Sequence, residues 1–182
     1  MARLSIHVEP HGAVGIARHY IGDLVYGAND GIITTFAVVA GVAGGALSHA
    51  AVLIVGAANI AADGLSMAVG NFLAIRSHES ARAADNLPEE ESRPLRHAVA
   101  TFLAFVVAGS VPLVPYVVPA LREEEFSWSI VSTLAALFAV GAARTMVTAD
   151  RWWIAGLEML LLGAIVAAAA YGAGAVIAAA VS

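Results

Sequence analysis

The chain has 182 residues, of which 60% are hydrophobic and only 13% are charged, so it is far more apolar than a soluble globular domain. It contains no cysteine, which excludes disulfides, thiolate metal sites and cysteine nucleophiles. The formal net charge of -5 identifies no partner, because most of the charges lie in the tails and loops. We therefore expect an integral membrane protein.

Five segments reach the roughly 20 apolar residues that an α-helix needs to span a bilayer. They predict an all-α protein with a cytoplasmic N-terminal tail over residues 1–20 and one membrane domain over residues 21–182. A short cytoplasmic loop over residues 76–97 interrupts that domain. The predicted spans cover, in chain order, residues 21–47, 51–75, 98–118, 128–147 and 152–181.

Two connections in this series have a predictable shape. Residues 48–50 are too few for anything but a tight turn, so the first two helices should be antiparallel neighbours. Pro112, Pro115 and Pro119 fall in the second half of the third span and should bend or end it, because proline lacks an N–H and clashes with the preceding turn.

The basic residues, all of them arginine, predict the orientation in the membrane. Cytoplasmic loops carry an excess of positive charge. Only Arg122 lies on the side of the predicted spans opposite to the other arginines, which are therefore assigned to the cytoplasm. With five spans, the N-terminus should then be cytoplasmic and the C-terminus outside. The arginines on the cytoplasmic side are Arg3, Arg18, Arg76, Arg82, Arg93, Arg96, Arg144 and Arg151.

Polar and small residues follow one face of each of the first two predicted helices. On the first they are Asp23, Gly27, Asp30, Thr34, Gly41 and Gly45. On the second they are Asn59, Asp63, Ser66, Met67 and Gly70. At about 1.5 Å per residue, Asp30 lies roughly 10 Å beyond Asp23. Met67 lies roughly 13 Å inward from Arg76 and should meet Asp30 at a similar depth.

A carboxylate at the middle of a bilayer costs about 2.5 kcal/mol or more, so it faces a partner, a cavity or a pathway. Oxygen ligands with one thioether sulfur suit Fe²⁺ or Mn²⁺ better than Mg²⁺. The candidate ligands are Asp30, Met67, Asp63 and Asn59. Asp30 and Asp63 are also candidate proton carriers, because a carboxylate releases its proton to bind metal. The alternative is a satisfied polar pair that locks helix packing, with Met67 as a filler.

Several segments of the chain resemble the vacuolar iron transporter family. They are residues 27–31 (GANDG), 36–44 (FAVVAGVAG), 62–68 (ADGLSMA), 152–153 (WW) and 156–161 (GLEMLL). The motifs at residues 27–44 and 62–68 are specific when taken together, and the similarity covers most of the membrane region. The resemblance implies a homodimer of five-helix subunits that exchanges Fe²⁺ or Mn²⁺ for protons and moves metal out of the cytoplasm. It also implies that Asp30 and Met67 lie on a pathway at the dimer interface.

The chain departs from the better-known members of that family. Their second helix extends into a long cytoplasmic metal-binding domain rich in Glu and Met, whereas residues 76–97 are here a short loop without methionine. Asn59 and Asn71 also stand where many members have glutamates. The pathway is therefore less acidic.

Other charged residues have simpler expected roles. Arg144 and Glu158 are placed to pair across the turn between the last two helices, and we favour this structural ion pair over a proton-relay role for Glu158. The acidic run at residues 89–91 could gather cations near a cytoplasmic entrance, but we expect it to be a solvated loop. His7 and His11 would chelate metal only on a helical tail, which Pro10 argues against, so we expect a disordered tail.

Our leading interpretation is a proton-coupled exporter of Fe²⁺ and/or Mn²⁺, with the lipid bilayer and a second copy as its other partners. The rival is a non-transporting membrane scaffold whose polar stripes hold a dimer together. Nothing indicates an enzyme, a permanently bound cofactor or a nucleic-acid partner. The absence of lysine, with abundant alanine, glycine and arginine, favours a bacterial plasma membrane.

Overall fold

The computed structural model describes residues 4–181, so that Arg3 of the arginine pattern lies outside the described residues. Within this range the chain is helical, with no strand beyond an isolated β-bridge. Its helices are α1 (Gly12–Gly44), α2 (His49–Ala84), α3 (Pro94–Gly109), α4 (Val114–Val117), α5 (Glu125–Arg144) and α6 (Trp152–Val181). Five stretches are long and apolar enough to cross a membrane, with Pro94–Val117 counted as one. The predicted all-α, five-span class is confirmed.

The first two helices are longer than the apolar segments predicted. Helix α1 begins at Gly12 rather than at residue 21, and α2 ends at Ala84 rather than at residue 75. The α2 extension is polar, so the hydropathy that marks a membrane span does not detect it, and the α1 extension mixes small and apolar residues with Arg18 and His19. The α2 extension is rich in alanine and arginine, which favour helix, and Arg82 in its last turn complements the helix dipole.

The predicted tight hairpin between α1 and α2 is confirmed. Residues 45–48 connect the two helices, which pack against each other. Ser48 caps α2, since its hydroxyl oxygen accepts a hydrogen bond from the Ala51 N–H at 3.3 Å. This capping bond satisfies one of the free N–H groups at the start of α2.

The prolines break the third span as predicted. Helix α3 ends at Gly109, and Pro112 lies in the 3₁₀ turn Val111–Leu113 that follows it. Pro115 lies in α4, which ends before Pro119. The break is tied to α5, because the Ser129 hydroxyl donates a 2.7 Å hydrogen bond to the Pro112 carbonyl oxygen. Such bonds satisfy polar groups that a broken helix leaves in a membrane.

Helix α1 is the centre of the bundle and packs against α2, α3, α5 and α6. Its approach to α3 is closest at Gly27 and Gly31, where a Cβ atom would meet the carbonyl oxygens of Thr101 and Phe105. Small residues of this kind let membrane helices pack backbone to backbone. Helix α2, by contrast, is largely exposed in the single chain.

We predict that Gly31→Ala destabilises the protein, because the added methyl group meets the backbone of Phe105. Overpacking typically costs about 1–3 kcal/mol. The matched control is Gly172→Ala, where nothing lies within 4 Å of the added atom. Thermal unfolding in detergent, followed by circular dichroism, should show a lower Tm for Gly31→Ala only. Equal melting temperatures would contradict the close α1–α3 contact.

Candidate metal pathway

The candidate ligands lie along the contact between α1 and α2. Asp30 on α1 and Asp63 on α2 are both half-buried, and the two helices pack against each other. Met67 is half-buried and lies one turn beyond Asp63 on the same face of α2. The Thr34 hydroxyl donates a 2.8 Å hydrogen bond to the Asp30 backbone carbonyl. It therefore does not neutralise the Asp30 carboxylate.

Asn59 lies one turn before Asp63 and is also half-buried. Its side-chain nitrogen is buried and has no hydrogen-bond partner among the described residues. Buried polar groups are nearly always paired, so an orphaned one calls for an explanation. The amide can also be turned so that its oxygen, a cation ligand, faces the same space. Asn59 is therefore free to interact with a cation or with a second copy of the chain.

Asn71 is fixed by other partners. Its side-chain nitrogen donates to Asp23 Oδ1 at 2.6 Å and to Thr101 Oγ1 at 2.8 Å. These bonds join α2 to α1 and α3. Asn71 therefore does not group with Asp30.

Three histidines and a glutamate lie next to Asp23. We name this group the inner cluster: His7, His19, Glu91 and His97. Asp23 Oδ2 is 2.6 Å from His97 Nδ1, and Glu91 Oε2 is 3.0 Å from His97 Nε2. His19 and His7 approach the same Glu91 oxygen at 3.3 and 3.4 Å. The sequence interpretation missed this cluster, because its members come from the N-terminal segment, α1, the loop and α3.

The N-terminal segment and the loop hold each other in place. Ser5 and Glu89 form a parallel β-bridge, and the Ile6 N–H donates to the Glu89 carbonyl oxygen at 2.8 Å. On α2, Glu79 accepts the N–H of Glu91 at 3.0 Å. The expected disordered tail around His7 is therefore wrong, whereas the loop remains largely exposed, with Glu90 57% exposed, but is ordered by these bonds. Backbone pairing between distant segments leaves no local sequence signal from which the ordered tail could have been predicted.

Glu91 is ionised at neutral pH despite its partial burial. Burial alone would raise the pKa of its carboxyl group. The hydrogen bond from the Arg93 backbone N–H and the adjacent imidazoles of His97 and His7 instead bring this pKa below its ordinary value. The carboxylate is thus available as an acceptor or as a ligand.

Arg144 and Glu158 lie against each other, with Arg144 Nη2 at 2.7 Å from Glu158 Oε2. The contact joins the end of α5 to the second turn of α6. The Glu158 side chain is 55% exposed in the single chain. A structural role for the pair is consistent with this position.

The bundle and its half-buried carboxylates define a five-span, all-α membrane protein with polar residues at a helix–helix contact. The chain belongs to the VIT family, whose model matches residues 21–91 and 81–175.

Relatives were found in plants and in parasites. Vacuolar iron transporter 2 of Oryza sativa subsp. japonica is 29% identical, with 93% of this chain and 91% of the relative covered. Vacuolar iron transporter 1 of Arabidopsis thaliana is 26% identical, with 92% and 89% covered. A vacuolar iron transporter of Toxoplasma gondii is 36% identical over 98 residues, which cover 49% of this chain and 32% of the relative.

The rice alignment spans 226 positions against the 182 residues of this chain, a difference of 44. At least that many residues of the relative have no counterpart here. The two stretches matched by the family model meet at residues 81–91, at the end of α2 and the start of the loop. The comparison is thus consistent with a shortened loop.

We predict that Arg144→Met and Glu158→Gln, alone and together, show a coupling energy of at most about 1 kcal/mol, because the pair is partly exposed. A double-mutant cycle of thermal unfolding measures it. Proton movement in liposomes should be unaffected by Glu158→Gln. Loss of proton movement in a stably folded Glu158→Gln variant would instead assign Glu158 to a proton relay.

Proposed function

We propose that this chain is a proton-coupled transporter that exports Fe²⁺ and/or Mn²⁺ from the cytoplasm, rather than an enzyme. The observation that carries the proposal is the pair of half-buried carboxylates, Asp30 and Asp63, between two spanning helices. Two ionised carboxylates at this depth repel each other and are poorly solvated. A divalent cation between them offsets both charges. The name of these relatives, vacuolar iron transporter, agrees with a metal cargo.

In this proposal Asp30 and Met67 ligate the cargo, while Asp63 and Asn59 assist. A thioether favours a first-row transition metal over Mg²⁺ or Ca²⁺, which prefer oxygen ligands. Asp30 and Asp63 also couple transport to protons. A carboxylate must lose its proton to bind metal, and it is protonated again from the opposite side after release.

The proposed assembly is a homodimer within the lipid bilayer. Only Val52, Gly56 and Gly64 of α2 are buried in the single chain. The orphaned side-chain nitrogen of Asn59 lies on the same helix. A second copy packed against α2 would cover this helix and provide hydrogen-bond partners at the pathway.

The proposed domain plan keeps one membrane domain and a short cytoplasmic loop, with the N-terminus in the cytoplasm. This orientation rests on the arginine pattern. The comparisons give no support to the predicted bacterial plasma membrane, because the matched relatives are plant and parasite proteins named as vacuolar. The five long apolar helices support a multi-pass membrane protein.

We predict that purified protein in liposomes shows metal-dependent proton flux, and that Asp30→Asn abolishes it while leaving the fold intact. Asparagine keeps the shape of aspartate but carries neither its charge nor its proton. Asp150→Asn, at an exposed turn position, is the matched control and should transport normally. Absence of flux in the unmodified protein would favour the scaffold, and normal flux in Asp30→Asn would reduce Asp30 to a packing residue.

We further predict that Met67→Leu slows Fe²⁺ transport even though the protein stays folded. Leucine preserves the volume of methionine at a cost usually below about 1.5 kcal/mol, so it tests the sulfur rather than the packing. Met67→Ala should be less stable as well as slow. Initial rates of Fe²⁺ uptake, with Tm measured on the same samples, separate the two effects. Normal uptake by Met67→Leu would show that the thioether is not a ligand.

A further inference from the structure

The inner cluster is not used by the proposed pathway, yet its geometry is that of a ligand set. Three imidazole nitrogens, from His97, His19 and His7, lie 3.0, 3.3 and 3.4 Å from the same oxygen of Glu91. Two atoms that bind one ion at about 2.1 Å lie about 3.0–3.4 Å apart in octahedral or tetrahedral geometry. The ligand atoms of His19, Glu91 and His97 all lie within 4.8 Å of one another.

The groups around the cluster orient these atoms. Asp23 as a carboxylate can only accept, so His97 Nδ1 carries a proton toward it at 2.6 Å and His97 Nε2 faces the cluster. A carboxylate behind a histidine is the usual support of a metal-binding imidazole. Asp23 is in turn held by Asn71. Glu91 Oε1 accepts the Arg93 N–H at 2.6 Å, which leaves Glu91 Oε2 for the imidazoles.

Not every ring nitrogen is satisfied. His19 Nε2 is buried and has no hydrogen-bond partner among the described residues, although it lies 3.3 Å from Glu91 Oε2. An unsatisfied buried polar group is costly. A proton or a cation between the imidazole nitrogen and the carboxylate oxygen would satisfy both atoms at this separation. A metal ion would satisfy His19, Glu91 and His97 together.

We infer that His19, Glu91 and His97 bind a divalent first-row transition metal ion. Two imidazoles and one carboxylate are typical of Fe²⁺ sites and also suit Zn²⁺ and Co²⁺, whereas Mg²⁺ and Ca²⁺ prefer oxygen ligands. A cavity of about 740 Å³ is lined by all of these residues and gives an ion a path of entry.

The position of the site indicates its use. Asp23 contacts His97 directly and lies on α1 two turns, roughly 10 Å, before Asp30. An ion held in the inner cluster is therefore at the end of the proposed pathway. As a capture site for cargo it rests on the proposed function, whereas metal binding by the cluster does not.

The test is a Co²⁺ titration of the full chain in detergent, followed by the visible absorption of the bound ion. All samples carry Asp30→Asn, which weakens the pathway site. Saturable binding is expected, and His19→Gln and His97→Gln should each weaken it at least about tenfold. The matched control is His49→Gln: His49 also pairs with a glutamate, Glu125 at 2.7 Å, but belongs to no metal-ligand group found among the described residues.

Asp23→Asn is a second test in case the histidine variants fail to fold. It leaves every proposed ligand in place and should still weaken Co²⁺ binding by about 10- to 100-fold, as loss of a supporting carboxylate does. Samples are compared only where their Tm in the absence of metal matches the parent. Binding that is unchanged in Asp23→Asn, His19→Gln and His97→Gln would overturn the site and leave a network of ion pairs.

Transport in liposomes separates this inference from the proposed function. As a capture site, the cluster predicts that His19→Gln raises the half-saturating Fe²⁺ concentration about tenfold without lowering the maximal rate. An unchanged half-saturating concentration would overturn the capture role. Co²⁺ binding by the cluster without any metal-driven proton flux would refute the proposed function and leave the site. Metal-driven proton flux without Co²⁺ binding that depends on the cluster would support the proposed function and refute the metal site.

Discussion

The close contact between α1 and α3 fixes the direction of the polar residues on α1. Gly27 and Gly31 are one turn apart, and any side chain at either would meet the α3 backbone. Helix α1 therefore cannot turn about its axis without leaving α3. Asp30 directly precedes Gly31 and so lies about 100° around the helix from this contact. Asp63 lies on α2, which packs against α1.

The features that could be predicted from the sequence are those that the apolar interior of the bilayer constrains. Continuous apolar runs identify the five spans, and Pro112 marks the end of the third. Helices α1 and α2 extend to Gly12 and Ala84, past the continuous apolar runs, where hydropathy no longer distinguishes helix from loop. Asp30 and Asp63 stand out because charge is costly inside a membrane. No such cost applies to Glu91, which is ordinary in a loop.

The inner cluster depends on contacts that only the folded chain makes. The bridge between Ser5 and Glu89 brings His7 to the loop, and the start of α3 brings His97. Ion pairs reinforce this end of the bundle: Arg93 Nε contacts Glu9 Oε1 at 2.5 Å, and Arg82 contacts Glu90 at 3.0 Å. A short loop cross-linked in this way costs less entropy to order than a long free one.

The neutral side chains of Asn59 and Asn71 affect the charge balance of the proposed pathway. If the cargo is divalent, Asp30 and Asp63 neutralise it between them, and further carboxylates at the same depth would each add desolvation cost. The neutral side chain of Asn59 leaves that balance intact. Asn71 gives its hydrogen bonds to Asp23 and Thr101, and in doing so holds the carboxylate that supports His97. In the proposed function Asn59 therefore keeps the pathway neutral, while Asn71 holds Asp23 beside His97.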